Sequence, residues 1–246
     1  MISVKVKILL LIGLWLMNSS AVVVEGPALN ARDAFHSFVE SFYDCVKEEN
    51  ISFAALENGL KGYHYLRKNS KLKKKRYLTI VDFSLPSNLE RLFVIDLEEN
   101  KVVHRSLVAH GMNSGDLDAT AFSNEHDSHK SSLGFYITGR VYRGKHAESI
   151  KLYGIERNFN SNAYNRGVVV HRADYATEDF LKMNNGVLGR SFGCPAVPAK
   201  HYKELTQFLR DGSCFYIYHP NKYYHRNSKI LTSQQGLNNF LEYYNS

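Results

Sequence analysis

The sequence predicts an α+β, β-rich fold behind a small helical N-terminal segment. Three observations lead there. A chain of 246 residues, 44% hydrophobic and 22% charged, can bury a full core, which excludes wholesale disorder, collagen and a multi-span membrane protein. Its 16 Tyr and 14 Phe are an abundance common in strand-rich folds. Finally, apolar residues at helical spacing near the N-terminus give way to short apolar runs separated by turn residues.

Residues 31–49 place Phe35, Phe38, Val39, Phe42, Cys45 and Val46 at helical spacing, with Asn30 as a candidate N-cap. A second helix is expected after Ser52, through Phe53, Leu56 and Leu60 and closing near Gly62. Residues 70–76 form a basic loop, whose ordinary role is a solvated face. Tyr77 to Phe83 and Arg91 to Leu97 read as strands, and Glu98-Glu99-Asn100 turns the second into Lys101 to Ala109. Further strands are expected at Gly134 to Thr138, Ser149 to Ile155, Gly167 to His171 and Ser213 to His219. Pro198 opens a helix through Tyr202, Leu205, Phe208 and Leu209 that ends at Gly212. The expected organisation is a leader over 1–21, a helical segment and basic loop over 22–76, a catalytic domain over 77–220 and a polar, Tyr/Asn-rich tail over 221–246.

Lys5 and Lys7 precede a ten-residue apolar run, Ile8 to Met17, and then Asn18-Ser19-Ser20-Ala21. A bilayer core of ~30 Å needs roughly 20 residues, so the run reads as a secretory signal cleaved after Ala21, leaving no transmembrane anchor. The predicted location is the periplasm or cell envelope, or the medium after secretion. The net charge of +7 suits a polyanionic partner, and export together with so modest a charge excludes a nucleic-acid role. Three cysteines are too few for a disulfide scaffold. Cys45 and Cys214 fit core thiols or a pair, and in an oxidising compartment the expectation is a Cys45–Cys214 bridge that leaves Cys194 as the lone free thiol.

Two segments carry chemistry. In Leu188-Gly189-Arg190-Ser191-Phe192-Gly193-Cys194-Pro195-Ala196-Val197-Pro198, small residues permit a tight turn and close approach of a substrate. Pro198 would place Cys194 near a helix N-terminus, where amides and dipole favour a thiolate. The same amides could bind an oxyanion. A buried structural cysteine in a Gly/Pro turn fits these residues equally well. In Gly167-Val168-Val169-Val170-His171-Arg172-Ala173-Asp174, an apolar strand delivers His171 at its end. A thiol nucleophile needs a base within reach, and histidine is poised near neutral pH; a structural histidine is the plainer alternative.

Val-Val-His followed by Ser-x-Gly-Cys-Pro-Ala-Val-Pro resembles the L,D-transpeptidase (YkuD-like) catalytic domain of bacterial cell-wall enzymes, in the branch described as the murein L,D-transpeptidase catalytic domain family. The resemblance extends through Val81-Asp82-Phe83-Ser84, Arg91 to Leu97, Val108-Ala109-His110-Gly111, Phe122-Ser123-Asn124, Ser131 to Tyr136 and Tyr142 to His146, covering residues 77–220. It implies a mixed β-sandwich or barrel with a helix after the nucleophile. Cys194 is then the nucleophile, His171 its general base oriented by a backbone carbonyl, and the Gly193 and Cys194 amides the oxyanion hole. Asp174 is not required as a third member. Arg190 and Arg172 are candidates for holding a substrate carboxylate, with Ser191, His110 and Tyr136 completing the candidate substrate-binding set. The sequence departs from many members at Phe192, where they carry a second His, and at Pro195-Ala196, in place of an Ile/Val-Arg pair.

The implied reaction is acyl transfer on peptidoglycan stem peptides: attack at the diaminopimelate carbonyl, release of D-Ala, and transfer to an amine of a second stem, a lipoprotein lysine or water. It requires no metal and no organic cofactor. Alternatives are an L,D-carboxypeptidase alone, a non-catalytic peptidoglycan-binding protein, or a zinc peptidase of the cell wall drawing on His104, His110, Asp116, Asp118, His126, Asp127 and His129, none of which follows a His-Glu-x-x-His spacing.

Overall fold

The computed structural model describes residues 30–69, 72–144 and 147–245. The expected leader, Ser70 and Lys71 lie outside the described residues. Helix α1 (Ala31–Val46) starts at Asn30, whose side chain accepts the Arg32 and Asp33 amides, and buries Phe35, Val39, Phe42 and Val46. Helix α2 (Phe53–Lys68) is capped by Ser52. It does not close at Gly62 but runs on for six residues. Gly59 and Gly62 lie where the helix meets the sheet. A Cβ on Gly59 would come 2.7 Å from Ile80, and one on Gly62 would overlap the Phe135 ring. Their role is close packing rather than termination.

The strands are β1 (Tyr77–Asp82), β2 (Leu92–Asp96), β3 (Lys101–Ser106), β4 (Gly134–Gly144), β5 (Ala147–Gly154), β6 (Val169–Arg172), β7 (Ala196–Val197) and β8 (Cys214–Tyr218). They form one mixed sheet in the order β3-β2-β1-β8-β4-β5-β6-β7. β1 and β8 run parallel at its centre and bury nearly every residue, as parallel strands covered on both faces do. Beyond β3, Ala109 pairs with Ala196 of β7 at the far end, so the sheet nearly closes on itself. Most of the expected strands are present. β4 is longer than expected because a register shift between Thr138 and Val141 lets it continue into the hairpin with β5.

Helix α3 (Glu178–Met183) precedes the Cys194 segment and α4 (Ala199–Leu209) follows it. The expected polar tail is instead three helices, α5 (Lys222–Asn227), α6 (Lys229–Thr232) and α7 (Gln235–Tyr244). Asn221 and Ser228 cap the first two. Tyr224, Ile230, Leu231, Leu237 and Phe240 are buried, and Phe240 meets Phe35 at 5.2 Å and Phe38 at 5.0 Å. The polar composition concealed these few apolar residues; those of α6 and α7 pack toward α1 and α2, while Tyr224 meets Phe159 at 4.9 Å. Glu156 ties the layer to the sheet by accepting hydrogen bonds from the Phe135 amide at 2.8 Å, Tyr224 Oη at 2.9 Å and Ser228 Oγ at 2.5 Å. Among the described residues no helix is long and apolar enough to cross a membrane.

Replacing Gly62 by Ala should lower stability by about 1–3 kcal/mol through overpacking against Phe135, outweighing the helix propensity it gains. An unchanged or raised urea midpoint would contradict that contact.

Candidate active site

Closure of the sheet builds the site. Ala109 and Ala196 exchange backbone hydrogen bonds at 2.8 and 3.3 Å, Ser191 N–H donates to the His110 carbonyl at 2.9 Å, and Met112 N–H to the Ser191 carbonyl at 2.7 Å. The Cys194 turn, residues 191–195, is thereby strapped between residues 109–112 on one side and β6 on the other. On the β6 side the Val169 amide donates to Cys194 Sγ at 3.4 Å, and the His171 amide to the Pro195 carbonyl at 3.3 Å. Cys194 and the strand that carries His171 therefore occupy one corner, with Cys194 partly exposed and His171 buried.

The tautomer of His171 follows from its partner. Nδ1 lies 2.9 Å from the Arg172 carbonyl, which can only accept, so Nδ1 carries the proton and Nε2 holds the lone pair. Asp174 is exposed on a short 3-10 turn, Asp174–Ala176.

Cys194 is not at a helix N-terminus. β7 intervenes and α4 begins only at Ala199, so no dipole bears directly on the sulfur. Burial instead pushes its thiol up, opposed by the Val169 amide and the Arg166 charge. The Gly193 amide, expected in the oxyanion hole, donates to Ser191 Oγ at 3.0 Å. Gly193 matters for its shape: φ is +117°, and a Cβ would stand 2.7 Å from the Lys130 carbonyl. Among the described residues no acceptor takes the Cys194 amide.

The expected substrate-binding residues separate. Ser191 is buried and braces the turn, its hydroxyl donating to the Cys194 carbonyl at 2.7 Å. His110 is buried with both ring nitrogens engaged: Arg91 donates to Nδ1 at 2.7 Å and Nε2 donates to the Gly115 carbonyl at 3.1 Å. Tyr136 is wholly buried, its hydroxyl donating to the Ser132 carbonyl at 2.8 Å. None of the three presents a group to a ligand; they hold up the site. Arg172 points away from His171, as strand neighbours do, and lines an open groove of about 930 Å³ with Glu148, Tyr202 and Lys203. Arg190 is exposed and ion-paired with Asp116. Phe192 is 69% exposed and stacks on His129 at 4.4 Å.

Three side chains near the site escaped the sequence reading. Arg91, buried, binds the Val108 carbonyl through Nε at 3.1 Å and the Leu85 carbonyl at 2.8 Å, besides His110. Tyr175 stands edge-on to His171 at 6.4 Å, with a phenol pushed up to about 12 by burial and by Cys194. Arg166 binds the loop behind Gly193. No local pattern marks any of them, because their partners are distant in the chain.

All three cysteines are free. Cys45 is exposed on α1 and Cys214 is buried in β8, so the expected bridge between them is not formed. Among the described residues no group of three or more His, Cys, Asp or Glu is placed to hold a metal ion; His104 sits instead against Glu204 and His201.

The profile described as L,D-transpeptidase catalytic domain matches residues 47–218. No curated protein sequence matches. Similar solved structures include an L,D-transpeptidase from Mycobacterium smegmatis, at 10% identity over 58% of this chain and 59% of that one, with a TM-score of 0.38. A helical cell shape determining protein from Campylobacter jejuni matches at 15% identity over 65% and 57%, with a TM-score of 0.38. An L,D-transpeptidase from Stackebrandtia nassauensis matches at 14% identity over 75% and 77%, with a TM-score of 0.35. The chain spans less than two thirds of the first two of these structures.

Two outcomes follow from the site. Under denaturing, non-reducing conditions the protein should titrate three thiols per chain; a single thiol would restore the bridge. Burial, followed by the Arg91 charge, lowers the His110 pKa to about 4. A histidine depressed in the folded state is protonated first in the unfolded one, so its contribution is intact above about 6.5 and is lost as pH falls towards 4. The His110 ring resonances should titrate near 4; a midpoint near 6.5 would refute the buried, Arg91-bound ring.

Proposed function

This chain belongs to the L,D-transpeptidase catalytic domain family, and from that premise we propose that it performs cysteine-dependent acyl transfer on peptidoglycan stem peptides, with Cys194 as nucleophile and His171 as base. The observation that carries the reading is the shared corner: Cys194 Sγ accepts from the amide of Val169, on the strand where His171 is held with its lone pair on Nε2.

In the proposed cycle Nε2 of His171 takes the Sγ proton as sulfur attacks the carbonyl carbon of the third, diaminopimelate residue. The tetrahedral oxyanion is met by the Cys194 amide, which, like that of Phe192 in the same turn, donates to no acceptor among the described residues. As the C–N bond to D-Ala breaks, the imidazolium returns its proton to the departing amine and a thioester remains. An incoming amine then attacks, gives a proton to His171, and the C–S bond breaks with sulfur reprotonated. An acceptor amine from a second stem yields a 3→3 cross-link, a protein lysine tethers a lipoprotein, and water gives carboxypeptidase activity. The carbonyl of Arg172 does the orienting that a carboxylate does elsewhere: it fixes the tautomer without adding a buried charge. We further propose that the protein works outside the cytoplasm, on the strength of its leader-like N-terminus.

The test is mass spectrometry of muropeptides after the mature protein is incubated with purified sacculi. Cys194→Ala should abolish product while leaving the fold intact, and His171→Ala should lose about 10²–10⁴ of the rate. Equal product from Cys194→Ala and the native protein would overturn the assignment.

A further inference from the structure

Arg166 stands in the turn that feeds β6. Its own amide donates to the Asn162 carbonyl at 2.8 Å and the next, that of Gly167, to the Tyr164 carbonyl at 3.1 Å. Its guanidinium reaches across to a segment that follows the second pair of strands. Nη1 donates to the Ser123 carbonyl at 2.9 Å and to Ser132 Oγ at 2.6 Å, and Nη2 to Ser128 Oγ at 3.1 Å and the Lys130 carbonyl at 2.7 Å. These are planar, forked contacts that a lysine could not reproduce. The same Lys130 carbonyl and the same Nη2 form the wall behind the nucleophile turn: a Cβ on Gly193 would lie 2.7 Å from the first and 3.2 Å from the second. From the other side, Ser131 Oγ donates to the Gly193 carbonyl at 3.4 Å.

All four acceptors are neutral oxygens, and among the described residues no carboxylate forms an ion pair with Arg166. A half-buried charge without a close counter-ion is costly unless its field falls on something that benefits. We propose that Arg166 is the positioning residue of the nucleophile: it clamps the 123–132 segment against Gly193, so fixing the Cys194 turn, and supplies the cationic field in which the sulfur reacts. The titratable groups facing Cys194 are Arg166 and Tyr175, with His171 on the strand whose Val169 amide donates to the sulfur, and those facing Arg166 are Asp127, Tyr136 and Cys194 itself. Tyr136 and Tyr175 are held neutral by burial, which leaves Arg166 as the charged side chain acting on Cys194.

This inference rests on Cys194 being the reacting thiol, and its test reads the sulfur without substrate. In a Cys45→Ser background, the rate at which iodoacetamide alkylates Cys194 is followed against pH by mass spectrometry, alongside stem-peptide turnover. Arg166→Met should displace the profile to higher pH, slowing alkylation about tenfold at a given pH below the midpoint, the effect of about 1.4 kcal/mol. Arg166→Lys should keep the native profile while kcat falls about tenfold at little-changed KM, because charge is retained and the fork is lost. A folded Arg166→Met protein, by near-ultraviolet circular dichroism, with the native alkylation profile would overturn the proposal. If Arg166→Met does not fold, Arg166→Lys decides: a displaced profile, or native kcat, overturns it. The expected displacement in a protein that yields no muropeptide products would instead remove the stem-peptide reading and leave the role of Arg166 standing.

Discussion

The pairing of Ala109 with Ala196 is the contact on which the site depends, because it joins the two ends of the sheet. Beyond β3 and at β7 the chain would otherwise leave two open edges. Bringing them together carries the His110–Met112 segment against Ser191, and the Cys194 turn against β6. Alanine is suited to both positions: a small satellite core of Leu107, Ala109, Ala173, Ala176, Leu188 and Ala196 fills the seam, and larger side chains would hold the two edges apart. Once the seam is closed, Gly193 has only its observed path, with the Lys130 carbonyl on one side and Ser191 Oγ on the other.

His110 and His171 show how a hydrogen-bond partner assigns a role to the same ring. Both are buried. At His171 a carbonyl on Nδ1 forces the proton onto that nitrogen and leaves Nε2 basic. At His110 the guanidinium of Arg91 donates to Nδ1, so the proton must sit on Nε2, where Gly115 takes it. The first ring carries its proton on Nδ1, while the second has both nitrogens engaged and braces the loop beside Cys194. Arginine is central in both neighbourhoods. Arg91 and Arg166 bind mainly carbonyls and hydroxyls of irregular backbone, which gives those segments the fixed geometry that helices and strands obtain from their own ladders.

Much of the fold was legible because its signals are local. The spacing of Phe35, Val39, Phe42 and Val46 marks a helix, and Asn30 starts it. The runs at Tyr77, Leu92 and Lys101 mark the first three strands. The C-terminal helices were not legible, since their apolar residues are few and bury against distant parts of the chain, those of α7 against α1 and α2 from its opposite end. Gly62 was misread for a related reason: a glycine that ends a helix and one that admits a neighbouring ring look alike until the ring, Phe135, is in place.

Cys194 and His171 stood out from sequence because each lies in a short pattern, a Gly-Cys-Pro turn and an apolar strand ending in histidine. The residues around them were decided only by the tertiary structure. Ser191, His110 and Tyr136 look like ligand-binding groups in a motif but spend their polar atoms inside the protein, and Arg172 faces a different groove. Arg91, Arg166 and Tyr175, unremarkable in sequence, line or support the corner instead. Residue type and local spacing determine which side chains can do chemistry and where helices and strands begin. Which of those side chains face one another, and which nitrogen of a histidine keeps its lone pair, depends on contacts between segments far apart in the chain, and those exist only after the sheet has closed.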